Sequence, residues 1–260
     1  MNLLMIGDVV GRPGRRAVAA LLPELRRELA LHLVIANGEN AAAGRGITEP
    51  TAQELFEAGV DVITSGNHVW DQKEIIPALD HEIALLRPLN YPPDTPGRGV
   101  LTHQGVTIIN LQGRTFMVDI DCPFRAADAA LRGLPQNAVI VVDMHGEATS
   151  EKQAMGRYLD GRVAAVLGTH THVPTADACL LPGGTAYVTD VGMVGPRDSI
   201  IGNEIEAVLR RFLTALPTRL PVAEESRVVQ FNAVLIEIDK VTRRARSIRR
   251  IDREYCRDGV

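Results

Sequence analysis

Cysteine, long apolar runs and excess positive charge are all scarce in this sequence. The three cysteines, Cys122, Cys179 and Cys256, stand far apart and form no C-x-x-C pair. That argues against a disulfide framework or a cysteine-type zinc site, and it suits a reducing compartment. No stretch approaches the roughly 18 consecutive apolar residues of a membrane span. The opening run 1–6 turns polar at Gly7-Asp8, too short for the apolar region of a signal peptide. A cytoplasmic protein is therefore expected. With a net charge of −4 and a pI near 6.0, stable binding to nucleic acid or to an anionic membrane is not expected. Internal repeats, low-complexity tracts and linkers are also missing, so residues 1–260 read as one domain.

Against these absences stands a recurring pattern. Short aliphatic runs at 3–6, 33–36, 60–63, 138–142 and 163–167 lack polar alternation, as strands buried on both faces do. Helical periodicity separates many of them. Val18, Leu21, Leu22, Leu25 and Leu29 share one face, with a kink or break expected near Leu22 because Pro23 follows. Gly11-Arg12-Pro13-Gly14 reads as a turn with proline near a helix start. Ile201, Ile205, Val208, Leu209 and Phe212 mark a second amphipathic helix, and Thr48-Glu49-Pro50 has a cap-like start. A strand is expected at 107–111, and 228–239 with 245–251 should form two antiparallel strands. The alternation predicts a layered α/β fold.

The chemistry lies where the strands stop. Asp8, Glu39, Asn40, Asn67, His68, His145, His170 and His172 all fall at or just beyond strand C-terminal ends, the edge where layered α/β folds place their crevices. Carboxylate, amide and imidazole together make a mixed oxygen and nitrogen donor set suited to a transition metal. Other residues nearby carry less. Asp143 and Glu147, flanking His145, read as solvated loop carboxylates, and Asp71 as the N-cap of a helix continuing through Ile75. Arg114 and Phe116 suit phosphate or base contact no better than loop packing. The six arginines between 243 and 253 read as a solvated strand or tail.

Five segments, in order, carry a family resemblance: Gly7-Asp8-Val9-Val10, Asn37-Gly38-Glu39-Asn40, Gly66-Asn67-His68-Val69, Met144-His145-Gly146-Glu147 and Gly168-Thr169-His170-Thr171-His172. Together they resemble the calcineurin-like metallophosphoesterases. Val10 departs from that pattern where a histidine ligand is usual, Glu39 replaces the usual bridging aspartate, and Asn40 offers an amide oxygen to fill the vacancy. Asn110-Leu111-Gln112-Gly113-Arg114-Thr115-Phe116 and Asp121-Cys122-Pro123-Phe124 narrow the likeness to the YmdB-like branch, over essentially the whole chain.

The resemblance implies a four-layer α/β/β/α sandwich and a cytosolic phosphodiesterase acting on 2′,3′-cyclic nucleotides by metal-hydroxide attack on phosphorus. It also implies two divalent or mixed-valence transition-metal ions. Iron or manganese suits these donors, and zinc is compatible. Asp8, Glu39, Asn40 and His172 would hold one ion, and Glu39, Asn67, His145 and His170 the other, with the two oxygens of Glu39 facing different ions. His68 would be the general acid rather than a ligand. A homo-oligomer is expected. The alternatives are a regulatory nucleotide-binding protein of the same fold with little turnover, and a mononuclear hydrolase of another fold, which explains fewer of the eight clustered residues.

Overall fold

Successive strand residues point to opposite faces, so an unbroken apolar run requires a packed layer on each side. The computed structural model, which describes residues 1–81 and 83–257, supplies both layers. Its elements run β1 (Asn2–Val9), α1 (Gly11–Glu28), β2 (Leu31–Asn37), α2 (Glu49–Glu57), β3 (Val62–Thr64), α3 (Ile76–Leu79), β4 (Val100–His103), β5 (Val106–Gln112) and α4 (Pro123–Gly133). They continue with β6 (Val139–His145), α5 (Thr149–Leu159), β7 (Ala165–Thr169), β8 (Cys179–Leu180), β9 (Ala186–Val188), β10 (Met193–Pro196), α6 (Ile205–Thr214), β11 (Val228–Ile238) and β12 (Ala245–Cys256).

One six-stranded sheet has the order β12-β11-β10-β1-β2-β3, and the other β4-β5-β6-β7-β9-β8. Strands β1, β2 and β3 are parallel, as are β5, β6 and β7. The residue parities then sort the core. Leu3, Met5, Leu33 and Ile35 of the first sheet meet Ile108, Val141, Leu167 and Val188 of the second in a shared apolar layer. Leu4, Ile6, Val34 and Ala36 face outward onto Val18, Leu22 and Leu25 of α1 and Leu55 of α2. On the far side Ile109, Val142, Met144 and Val166 pack with Met155 and Leu159 of α5 and Ala127 of α4. The four-layer α/β/β/α sandwich follows, and β11 and β12 form the antiparallel pair expected at the end of the chain.

Three local expectations need correction. Helix α1 passes unbroken through Pro23. Pro23 and Ala19, whose carbonyl loses its partner, both face solvent, while Leu22 and Leu25 anchor the helix on either side. Gly11-Arg12-Pro13-Gly14 is the first turn of α1 itself, where the missing proline N–H costs nothing. In α6 only Val208 is buried; Leu209, Phe212 and Leu213 are exposed, and Ile201 precedes the helix in a left-handed turn. The cap at Thr48 is as expected, with its side chain accepting from the Thr51 N–H.

The shared layer between the sheets carries the fold. Ile35→Ala, which empties a fully buried site there, should lower unfolding stability by roughly 2–5 kcal/mol in urea titrations. A loss below about 0.5 kcal/mol would show that the layer is not close-packed at that point.

Candidate metal centre

Parallel strands of both sheets end at one edge, and there the interlayer contact changes from apolar to polar. Asn37, ending β2, reaches Asp143 Oδ2 of β6 at 3.3 Å, and Thr64 at the end of β3 donates to the same oxygen at 2.5 Å. The Ser65 N–H donates to Asn110 Oδ1 of β5 at 2.9 Å. Asp8 lies within β1 and His145 closes β6. Glu39 and Asn40, Asn67 and His68, and His170 and His172 occupy the loops after β2, β3 and β7. All eight residues singled out in the sequence meet at this edge.

The tightest group surrounds His145. Its Nε2 lies 3.1 Å from Glu39 Oε1, 3.1 Å from Asn67 Oδ1 and 3.0 Å from His170 Nδ1. Its other nitrogen faces Thr169 Oγ1 at 2.9 Å, and that hydroxyl donates to Asp143 Oδ1 at 2.7 Å. Because the Thr169 proton is taken by Asp143, Nδ1 must carry the proton given to Thr169. Once the ring loses its second proton, Nε2 turns a lone pair toward two oxygens and another ring nitrogen. Donors aimed at one another, two of them buried and His170 at the edge of a cavity, fit a cation.

A second group adjoins the first. Asn40 Nδ2 lies 3.1 Å from His172 Nε2 and 3.2 Å from Glu39 Oε1, and His172 Nε2 is 3.8 Å from Asp8 Oδ1. Exchanging the ends of the Asn40 amide, which are isosteric, presents its oxygen to the same point. Asp8 Oδ1 is fully buried with no hydrogen-bond partner among the described residues, an orphan that a cation would satisfy. Val10 contributes no donor; it packs with Met193 and Val222. Glu39 differs from expectation. Its Oε1 touches both groups, while Oε2 accepts from the His68 N–H at 3.0 Å. As seated, the carboxylate links the groups through one oxygen.

Backbone strain marks the loop after β7. His170 and His172 adopt φ of 105° and 64°, conformations that L residues rarely take. Thr171 between them donates to Asp190 from N–H and hydroxyl at 3.0 and 2.8 Å. Asp190 pairs with the buried Lys152 ammonium at 2.7 Å, and the His170 N–H donates to Asp8 Oδ2 at 3.1 Å. Gly66 is required for close approach, because a Cβ there would lie 2.1 Å from the His145 ring. The Lys152–Asp190 pair has no signal in the sequence, since its members stand 38 residues apart, one in α5 and the other in the loop between β9 and β10.

Two readings of carboxylates are corrected. Asp71 caps no helix, since the short 3-10 turn Lys73–Ile75 begins after Gln72. Instead Asp71 Oδ2 lies 3.0 Å from His68 Nδ1. Asp143 is not a solvated loop residue but a buried strand residue two positions before His145, on the same face. Its position in the strand period was the available signal. Glu147 is half exposed and reaches His170 Nε2 at 3.1 Å. His68, Glu39, Asn40, His170 and His172 all line one cavity of about 610 Å³.

Electrostatics favour a cation at this place. Burial pushes Asp8 up to about 6, against the pull of His172 and His145. Burial would raise Glu39 as well, but the charge and hydrogen bond of His145 bring it below the usual carboxylate range. Desolvation opposes a charge on His145, yet Glu39 and Asp8 hold its pKa up at about 9. Burial and the charge on His145 push His170 down to about 3. The metal-free centre therefore keeps a second proton on His145 at neutral pH, and a metal must displace it. Metal affinity should rise with pH up to about 9, by about tenfold per unit for one displaced proton. Metal titrations at pH 6.5, 7.5 and 8.5 check this, and a pH-independent affinity would contradict it.

A profile of the family described as "YmdB-like protein" matches residues 4–251. A Bacillus subtilis (strain 168) protein named 2′,3′-cyclic-nucleotide 2′-phosphodiesterase is 48% identical over 256 residues, covering 96% of each chain. The crystal structure of a hypothetical protein from Thermus thermophilus is similar with a TM-score of 0.91 at 47% identity, over 98% of this chain and 99% of that one. That of a novel phosphatase from Mycoplasma pneumoniae has a TM-score of 0.92 at 34% identity, over 98% and 93%. The chain belongs to the YmdB-like family.

Proposed function

We propose that this protein is a two-cation phosphodiesterase that opens nucleoside 2′,3′-cyclic phosphates to 3′-nucleotides. The observation that carries the reading is the split donor cluster. Asn67, His145 and His170 gather on one side of Glu39 Oε1 and Asp8, Asn40 and His172 on the other, beside a cavity that His68 also lines. The full-length likeness to a protein named for this activity supports it. Asn67, His145 and His170 would hold one ion, Asp8, Asn40 and His172 the other, and Glu39 both. Iron or manganese suits the mixture of imidazole, carboxylate and amide. When bound, such a pair neutralises phosphate charge and makes water acidic enough to attack at neutral pH.

The chain's own residues supply the rest. Asp71 fixes His68 through Nδ1–H, leaving Nε2 to serve the substrate. As the oxygen of water forms its bond to phosphorus, the P–O2′ bond breaks, and protonated His68 gives its Nε2 proton to the departing ribose oxygen. One water is consumed: its hydroxyl stays on phosphorus, its other proton passes to solvent, from which His68 is reprotonated, and a 3′-phosphomonoester leaves. Asp71 is a positioning residue: it holds the ring through Nδ1.

A ribose alkoxide is strongly basic and needs that proton, whereas nitrophenolate does not. His68→Ala should retain its metals, lose on the order of 10²–10⁴-fold in kcat on adenosine 2′,3′-cyclic phosphate and lose far less on a nitrophenyl phosphodiester. Asp71→Asn, which leaves the ring less firmly held, should show the same inequality more weakly. Parallel losses on both substrates would remove His68 from the role of acid. A metal-loaded wild-type enzyme that fails to open any 2′,3′-cyclic nucleotide would overturn the reading as a whole.

A further inference from the structure

The cavity beside the centre is lined by arginines that the reaction above leaves unused. Arg45 comes from the loop after β2, Arg211 from the last turn of α6, and Arg219 from the chain returning from α6. The carboxylates lining the same cavity are Glu39, held in the donor cluster, and Glu147, facing His170. Arg45 lies 3.4 Å from Asp71, but among the described residues neither Arg211 nor Arg219 pairs with a carboxylate. In a chain of net charge −4, two guanidinium groups without a carboxylate partner in the lining of one cavity are a local arrangement rather than a bulk bias.

Their placement is tied to the centre. His172 Nδ1 bonds the carbonyl of Ile201 at 2.9 Å, at the start of the α6 arm. The base of the arm is closed where the Glu204 N–H meets the Pro221 carbonyl at 2.9 Å and the Ala223 N–H meets the Gly202 carbonyl at 3.0 Å. Arg211 and Arg219 are thus carried on a segment anchored to a residue of the donor cluster. Charge arithmetic says what they are for. Two divalent cations held by two carboxylates already outweigh the single negative charge of a cyclic phosphodiester, so the scissile group needs no arginine. A cavity of about 610 Å³ also lies well above the lower end of the roughly 300–1,000 Å³ typical of ligand pockets, leaving room beyond that group.

We infer that Arg211 and Arg219, with Arg45 beside them, form a subsite for a second phosphate, carried on the 5′ side of the nucleoside whose 2′,3′-cyclic phosphate is opened. The inference rests on the phosphodiesterase reading. It defines the preferred substrate as a doubly phosphorylated nucleotide, with guanidinium forks taking the non-bridging oxygens of the outer phosphate. That phosphate is either a terminal 5′-monoester or the internucleotide diester of an RNA end.

The test compares three substrates: adenosine 2′,3′-cyclic phosphate, its 5′-phosphorylated form, and an adenosine dinucleotide ending in a 2′,3′-cyclic phosphate. The 5′-phosphate should raise kcat/KM about tenfold or more, mainly through KM, as one charge-assisted contact does. Calorimetry should find adenosine 3′,5′-bisphosphate bound about tenfold more tightly than adenosine 3′-monophosphate. The double variant Arg211→Ala/Arg219→Ala should bring both ratios close to one, and Arg219→Lys should keep part of each. An enhancement shared by the dinucleotide assigns the subsite to an RNA end; one confined to the 5′-monoester assigns it to a mononucleotide. Ratios near one in the wild type, or ratios unchanged in the double variant, would overturn the inference. Failure to turn over any of the three substrates would count against the phosphodiesterase reading, while the calorimetric ratio would still decide the subsite.

Discussion

Around Glu39 Oε1 the chain crowds imidazole, amide and carboxylate groups of the kind that bind cations. His145 Nε2, Asn67 Oδ1 and His170 Nδ1 lie on one side, and Asn40, His172 and the orphaned Asp8 oxygen on the other. Buried groups of this kind are favoured by positive charge between them. Much of the surrounding structure exists to impose that crowding. The chain from His145 through Thr169 to Asp143 fixes which imidazole nitrogen carries a proton, and Lys152 with Asp190 grips the strained turn that carries two of the histidines.

The fold makes this possible by dividing labour between parities of one strand. In β6, Ile140, Val142 and Met144 pack on the helices, while Val139 and Val141 fill the layer between sheets. The same inward parity continues to Asp143 and His145, where the layer gives way to the polar edge. The apolar interior thus ends in a buried polar layer, and the donors stand on loops directly beyond it. Loss of a donor should therefore disturb chemistry more than folding, because the apolar layers remain intact.

Much of this was legible in the residues. Unalternating aliphatic runs require two-sided burial, and their polar endings collect at one edge once the strands are parallel, so the eight site residues and the layered fold could be read together. What was not legible depends on pairing across distance. Asp71 looks like a cap because it precedes a short apolar stretch, but its partner His68 on the preceding turn draws it away. Lys152 and Asp190 have no local signature. Helix α6 shows helical periodicity although Leu209, Phe212 and Leu213 face solvent, because periodicity reports a face and not what covers it. The two oxygens of Glu39 could not be assigned separate neighbours from sequence, since the His68 N–H that takes Oε2 arrives from another loop.

At the centre of the proposal, Glu39 would join two cation sites and His68 would stay outside both. Anomalous diffraction from crystals grown with manganese, and separately with iron, tests it directly. Two peaks that share Glu39 are expected, one bounded by Asn67, His145 and His170 and the other by Asp8, Asn40 and His172, with the His68 ring turned to the cavity and bonded to Asp71. A single peak, or a peak ligated by His68, would contradict it.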